Sequence, residues 1–153
     1  MATLRSVPVR KSKKSAPRPA AVARTVMTAD PETVGEEATL LEAASLMAQI
    51  GVRHLPVIDD SGVLTGMLSD RDLRSALGDL SEALRDNSKW GESRVVDVMT
   101  PDPLRAELDT TVAEVATMLA DERIGAVPVV DEADHPVGIV SYVDLIHFLA
   151  KGI

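Results

Sequence analysis

The first regular apolar pattern in the chain has the spacing of a helix. The run from Leu40 to Met47 places apolar side chains three and four residues apart. It comes directly after Thr39-x-x-Glu42, a capping-box pattern, and Gly51 provides a helix stop. The pattern predicts a capped helix between these signals.

The periodicity then changes to short continuous apolar runs. Residues 55–58 and 63–68 flank the polar turn Asp-Asp-Ser-Gly, which predicts two buried strands in a hairpin. Pro56 lies inside the first run and indicates a strand start or a sheet edge, because proline has no N–H to donate. Helical spacing returns over 73–84 and predicts a final helix.

The same order of elements occurs twice. A shift of 72 residues aligns 26–74 with 98–146 without a gap, and 16 of the 49 aligned positions are identical. In the second copy, Thr111-x-x-Glu114 predicts the capped helix, and 127–130 and 137–140 predict the strands. We predict an α+β protein of two β-α-β-β-α repeats, the first opened by a short strand near Thr33-Val34. A unit of about 50 residues has a thin core, so the copies are expected to pack on each other.

Charge separates the N-terminus from the rest of the chain. Residues 1–24 hold seven basic residues, no acid and three prolines, whereas residues 25–153 hold nine basic and 24 acidic residues. The first segment is predicted to be a disordered basic arm. Three interpretations stay open for it: a solvated terminus, a polybasic arm for nucleic acid, membrane or another acidic partner, or a segment that folds back on the acidic body.

The repeat and the basic segment together predict how the chain is divided. Residues 25–82 form the first repeat, 83–97 the linker and 98–150 the second repeat. Trp90 of the linker is expected to pack across the seam between the copies.

Composition excludes several kinds of site. The chain has no cysteine, which rules out disulfides and thiol chemistry and fits a reducing, cytoplasmic location. No apolar run approaches the ~18 residues of a membrane span, and the first residues are not predicted to be a secretory signal. Nucleotide-binding and hydrolase glycine motifs are missing, so no enzyme is predicted. His147 follows Asp144 on one helix face, but a third ligand is not apparent, so no metal site is predicted.

These repeats resemble a tandem pair of CBS domains, also called a Bateman module. The resemblance is carried by Val-Met-Thr at the head of each copy, by the apolar-Pro-Val-apolar-Asp strand, and by Gly-apolar-apolar-Ser-x-x-Asp at 66–72 and 138–144. It covers about residues 25–150. The resemblance implies two repeats related by pseudo-two-fold symmetry, commonly in a disc-shaped homodimer. It also implies clefts for AMP, ADP, ATP or S-adenosylmethionine, with no required cofactor, that regulate an effector enzyme or transporter.

The Ser-x-x-Asp motifs admit two interpretations. Ser69 with Asp72, and Ser141 with Asp144, each form a capping box. The resemblance implies that each aspartate accepts hydrogen bonds from both ribose hydroxyls, with the serine at the ribose-phosphate edge. The chemistry allows both roles, since a carboxylate offers acceptors to a diol and a helix N-terminus attracts phosphate.

Basic residues distinguish the first copy. Arg53 and His54 precede the first hairpin, and they are either a solvent-facing pair or, as the resemblance implies, phosphate contacts that Arg71 reinforces. Gly125-Ala126 replaces this pair in the second copy. The resemblance also implies five residues on the adenine side, Thr100, Ala126 and Val127 in the first cleft, and Thr28 and Leu55 in the mirror cleft.

Two alternatives to a ligand sensor stay open. One is a scaffold or interaction module with vestigial clefts, whose basic arm binds nucleic acid or another anionic partner. The other is an accessory subunit of an enzyme whose catalytic residues lie on another chain.

Overall fold

Two four-stranded sheets carry the helices in the computed structural model, which describes residues 20–77 and 93–152. The first repeat contains α1 (Ala23–Val26), β1 (Thr28–Ala29), β2 (Val34–Gly35), α2 (Leu40–Ile50), β3 (His54–Ile58), β4 (Leu64–Ser69) and α3 (Asp70–Leu77). The second contains α4 (Val95–Val98), β5 (Thr100–Pro101), β6 (Ala106–Glu107), α5 (Val112–Asp121), β7 (Ala126–Val130), β8 (Pro136–Ser141) and α6 (Tyr142–Gly152). The predicted α+β class and the two β-α-β-β-α repeats are confirmed. The predicted end of the first repeat's last helix, and Trp90, lie outside the described residues.

The long helices begin at the predicted capping boxes. Thr39 Oγ1 accepts a hydrogen bond from the Glu42 N–H at 3.2 Å, and the Glu42 carboxylate accepts one from the Thr39 N–H at 3.0 Å. Thr111 and Glu114 repeat this exchange at 3.1 and 2.8 Å. Gly51 ends α2 with φ at +70°, a left-handed conformation that glycine adopts without steric cost.

The head of each repeat crosses into the other repeat's sheet. Thr28 pairs with Ile139 in the sheet ordered β1-β8-β7-β6, and Thr100 pairs with Met67 in the sheet ordered β2-β3-β4-β5. The helices before these strands cross as well. Ala23 is completely buried in the core of the second repeat's sheet, and Val95 is completely buried in the core of the first. Each structural unit is therefore completed by a segment of the other sequence repeat.

This exchange moves two predicted boundaries at residues that the structure describes. Within the segment assigned to the basic arm, Ala23 is a core residue and Arg24 forms an exposed ion pair with Asp109 at 3.3 Å. Within the segment assigned to the linker, Val95 begins a helix, and its N–H donates to the Ala38 carbonyl at 2.9 Å. Both segments are anchored because they supply apolar surface to the opposite core.

Pro56 occupies the middle of β3, so the prediction that it starts a strand is wrong. It pairs with Met67 of β4 on one side of the strand. On the other side β2 is only two residues long, and its pairing begins at Val57. A residue without an N–H fits here because the strand is locally an edge, as the alternative prediction required.

Candidate functional site

The first Ser-x-x-Asp motif spans the junction of β4 and α3. Asp72 Oδ2 accepts a hydrogen bond from the Ser69 N–H at 2.9 Å, and Ser69 Oγ accepts one from the Asp72 N–H at 3.1 Å. This confirms the capping interpretation. Within the described residues, no hydrogen bond reaches Asp72 Oδ1, and the residue is half-buried. Capping therefore leaves one carboxylate oxygen for another partner.

His54 lies at the seam between the two repeats. A Cβ atom on Gly125 would be only 2.7 Å from His54 Cε1 and Nε2, so the imidazole packs directly on the Gly125 backbone. Burial lowers the pKa of His54 below its ordinary value of 6.5, while the carboxylates of Asp70 and Asp72 oppose this and Arg53 adds to it. At pH 7 the ring is neutral, so it offers a ligand one N–H donor and no positive charge.

Arg53 and Arg71 supply the positive charge of the first cleft. Both are exposed. The Arg53 carbonyl accepts a hydrogen bond from the Asp70 N–H at 2.9 Å, which holds the start of β3 next to the start of α3. The backbone at both arginines thus lies beside the Ser69–Asp72 cap, Arg53 just before β3 and Arg71 in the first turn of α3.

The mirror motif in the second repeat has the same cap without the same charge. Asp144 Oδ2 accepts hydrogen bonds from the Ser141 N–H at 2.8 Å and from Ser141 Oγ at 3.1 Å. The Asp144 N–H donates to Ser141 Oγ at 3.3 Å. At the positions equivalent to the three basic residues of the first cleft stand Gly125, Ala126 and Val143. The two motifs therefore share the same helix cap and differ in the charged residues around it.

The residues expected on the adenine side divide by accessibility. Thr100 pairs with the residue two positions before Ser69, and Thr28 is placed in the same way with respect to Ser141. Both threonines are exposed. Leu55 and Val127 have no exposed surface because their side chains face the two cores, and Ala126 is 4% exposed. Of the expected adenine contacts, the threonines are the accessible ones in this conformation.

The sequence did not reveal which residues pack against the motif glycines. A Cβ atom on Gly66 would be 2.9 Å from Met99 Cγ, and one on Gly138 would be 2.9 Å from Met27 Cγ. Each methionine comes from the crossing head segment, so the Val-Met-Thr and Gly-x-x-Ser motifs of opposite repeats fit into each other. The repeated methionine and glycine were visible signals, but their pairing across the repeats was not.

Two surface cavities lie away from both clefts. One, of about 410 Å³, is between α5 and α6 beside Ala20 and Ala21, and the other, of about 560 Å³, is between Arg24 and the Asp131–Ala133 turn. Within residues 20–77 and 93–152, no three His, Asp or Glu side chains are grouped as a metal ion requires. No helix in this part of the chain is long and apolar enough to cross a bilayer.

Solved structures share this architecture. The CBS domain pair of protein MJ0100, in complex with 5′-methylthioadenosine and S-adenosyl-L-methionine, is 27% identical and superposes with a TM-score of 0.73 over 88% of this chain and 100% of that chain. CBSX2 in complex with AMP is 28% identical, with a TM-score of 0.73 over 86% and 97% of the two chains.

Sequence comparisons agree with these structures. The CBS domain-containing protein YhcV of Bacillus subtilis (strain 168) is 35% identical over 121 residues, which are 78% of this chain and 79% of that protein. Other curated relatives carry enzyme names, and the chain spans only 22–24% of the length of the first three. The CBS domain family model matches residues 23–79 and 95–151. With both repeats matched, and with the crossed sheets and paired Ser-x-x-Asp caps in place, the chain belongs to the CBS domain family.

Proposed function

We propose that this chain is a regulatory module that binds an adenosine-containing ligand at the Ser69–Asp72 cap. The observation that carries the proposal is the carboxylate of Asp72, which caps α3 through Oδ2 and keeps Oδ1 without a partner among the described residues. An oxygen held in this way is a ready acceptor for a ribose hydroxyl. The AMP, S-adenosyl-L-methionine and 5′-methylthioadenosine complexes of similar CBS pairs support the choice of ligand class.

The charge distribution supports different ligands for the two clefts. Arg53 and Arg71 favour a phosphate at the first cleft, where the neutral His54 adds a hydrogen bond but no charge. The mirror cleft has Val143 in place of Arg71. We therefore expect AMP or ATP at the first cleft, and an adenosine derivative without a phosphate at the second.

The decisive experiment compares AMP with adenosine by isothermal titration. Asp72→Asn keeps an oxygen to accept the Ser69 N–H but places an amide, a donor, on the other side. We expect it to weaken both ligands at the first cleft roughly 10- to 100-fold, the value of a hydrogen bond to a charged group. Arg53→Gln should weaken AMP in the same range and leave adenosine unchanged, because only AMP has a phosphate.

Asp144→Asn is the matched control. It makes the same change in the other cap and should leave AMP affinity at the first cleft unaltered. If folded protein binds neither ligand, nor S-adenosylmethionine, the proposal fails. If Asp72→Asn and Asp144→Asn bind like the unmodified chain, both motifs act only as helix caps.

Signal transmission is part of the proposal. A ligand can shift this module only by binding one of its conformations more tightly, and the shift would be passed to an effector enzyme or transporter. The named enzymes among the relatives are more than four times as long as the matched region, so their reactions are not assigned to this chain. We also propose that the module works as a homodimer in the cytoplasm. The predicted nucleic-acid role of the arm falls mainly on residues 1–19, outside the described residues.

A further inference from the structure

Arg105 joins two loops at the seam between the repeats. Its guanidinium donates to Oδ1 of Asp102, just after β5, at 2.8 Å and to Oδ1 of Asp134, in the turn between β7 and β8, at 3.3 Å. The arginine side chain is 25% exposed, although both carboxylates are open to solvent. Each ion pair is therefore weak by itself, and the two share one ordered guanidinium. We call Arg105, Asp102 and Asp134 the Arg105 bridge.

Both loops of the Arg105 bridge also contact β4 of the first repeat. The Asp102 N–H donates to the Thr65 carbonyl at 3.1 Å, and the Leu64 N–H donates to the Asp134 carbonyl at 2.9 Å. The bridge thus connects two segments whose backbones are hydrogen-bonded to consecutive residues of one strand. A motion that lifts one of these loops off β4 without the other has to break an ion pair.

The mirror position in the first repeat has no such bridge. A shift of 72 residues places Thr33 at the position of Arg105 and Gly62 at that of Asp134. Neither residue carries a charge, so no ion pair can form between these two positions. The bridge is therefore an asymmetric feature of an otherwise repeated seam.

The backbone contacts at the mirror position are similar but fewer. Asp30 is equivalent to Asp102, the two have φ of +50° and +43°, and the Asp30 N–H donates to the Val137 carbonyl at 3.1 Å. Pro136 stands at the position of Leu64 and has no N–H to donate. One hydrogen bond holds this loop where two, and the bridge, hold its counterpart.

The Arg105 bridge adjoins the strand that carries the accessible threonine of the first cleft. Thr100 is two residues before Asp102 and pairs with Met67 of β4. Thr28 has the equivalent place in the mirror cleft, on β1. A cleft wall that is already held in place loses less conformational freedom when a ligand binds, and this favours affinity.

We propose that Arg105 is a positioning residue for the first cleft. By joining the loop after β5 to the turn between β7 and β8, it holds β5 and Thr100 on β4 before a ligand binds. At the mirror cleft β1 and Thr28 lack this support, so a ligand there has to order more of its own wall. The effect on binding rests on the proposed function, whereas the fixed position of β5 does not depend on a ligand.

Amide hydrogen exchange, followed by NMR on the ligand-free full chain, tests the fixed strand. The amides of Asp102 and Asp30 are a matched pair, because each donates to an equivalent carbonyl at the same distance. After correction for the rates of the unfolded chain, Asp102 should exchange roughly 3- to 10-fold more slowly than Asp30, a range that two exposed ion pairs can supply together. Arg105→Thr, which introduces the first repeat's residue, should reduce this ratio to near that set by the backbone contacts alone.

The exchange ratio separates positioning from general stability. Global unfolding exposes both amides equally, so a variant that is merely less stable does not change the contribution of local opening. Arg74→Gln is the control, since it removes an exposed arginine that pairs with Asp70 at 3.4 Å within one helix, and the ratio should stay the same. Equal protection of the two amides in the unmodified chain, or an unchanged ratio in Arg105→Thr, overturns the proposal.

Isothermal titration tests the consequence for binding. Arg105→Thr should weaken AMP at the first cleft by the same factor of roughly 3 to 10 and leave binding at the mirror cleft unchanged. Faster exchange at Asp102 with unaltered AMP affinity would show that β5 does not position the ligand, and the proposal would be wrong. If the unmodified chain binds no adenosine ligand, the proposed function fails and the positioning role fails with it, while the exchange ratio still decides whether Arg105 fixes β5.

Discussion

The exchange of head segments predicts which methionine each motif glycine depends on. Gly66→Ala would place a Cβ atom 2.9 Å from Met99 Cγ and 3.0 Å from the Thr100 carbonyl oxygen, where ordinary contacts begin at 3.4 Å. The methionine side chain can swing away, but the Thr100 carbonyl belongs to β5, whose backbone is paired with β4. We expect the variant to lose about 1–3 kcal/mol of unfolding free energy, as in an overpacked core.

Urea unfolding and thermal melts measure this loss, and a double-mutant cycle locates it. For a chain of this size, the expected fall in Tm is roughly 3–10 °C. Met99→Ala removes the side chain that the new methyl group meets. In that background Gly66→Ala should cost less by about 0.5 kcal/mol or more, because the contact with Met99 is gone while the contact with the Thr100 carbonyl remains. In a Met27→Ala background its cost should be unchanged, because Met27 packs against Gly138.

Gly35→Ala is the matched control, since a Cβ atom there meets nothing within 4 Å. Its expected effect is within about 0.5 kcal/mol. If Met27→Ala relieves Gly66→Ala and Met99→Ala does not, the head segments pack within their own repeats and the crossed topology is refuted. Equal coupling to both methionines would also contradict it.

Three further predictions concern stability. Arg123 adopts φ of +52° at the position equivalent to Gly51, so Arg123→Gly should stabilise the chain by about 1 kcal/mol in urea unfolding; a loss would show that its side chain contributes more than the strain costs. The pKa of His54 lies below 6.5 in the folded state, so the unfolded state takes up the proton first and the unfolding free energy should decrease as pH falls below about 6.5. This part of the decrease should vanish in His54→Gln. Identical pH profiles for the two chains would argue against a lowered pKa. Arg24→Ala breaks an ion pair with Asp109 in which the side chains are 57% and 84% exposed. Because such a pair contributes less than about 1 kcal/mol, Tm should fall by less than a loss of about 1 kcal/mol would produce. A larger fall in Tm would mean that Arg24 supports the crossing helix in another way.

Local signals predicted the elements well. The capping boxes at Thr39 and Thr111 are complete within four residues, so no distant contact is needed to start those helices. The hairpins followed from short apolar runs around polar turns for the same reason. Pro56 predicted either a strand start or a sheet edge, and the local pattern could not choose between them because the choice depends on the length of the neighbouring strand β2.

The sequence proposes residues for the candidate site but does not give their protonation or accessibility. Ser69 and Asp72 were found from their spacing, and that spacing also determines the cap they form. The neutral state of His54 was not predicted, because it depends on burial against Gly125 from the other repeat. Likewise, Leu55 and Val127 look like any apolar residues beside a cleft, and only packing shows that they have no accessible surface.

By itself the sequence determined the repeat, its elements, the family and the difference in charge between the clefts, because each of these depends on residue identity or on neighbours within a few positions. Tertiary structure alone decided how the repeats are joined. Val-Met-Thr stands at the head of both copies, so a head segment carries no local information about which sheet it completes. That choice is made where Met27 meets Gly138 and Met99 meets Gly66, at contacts far apart in the chain.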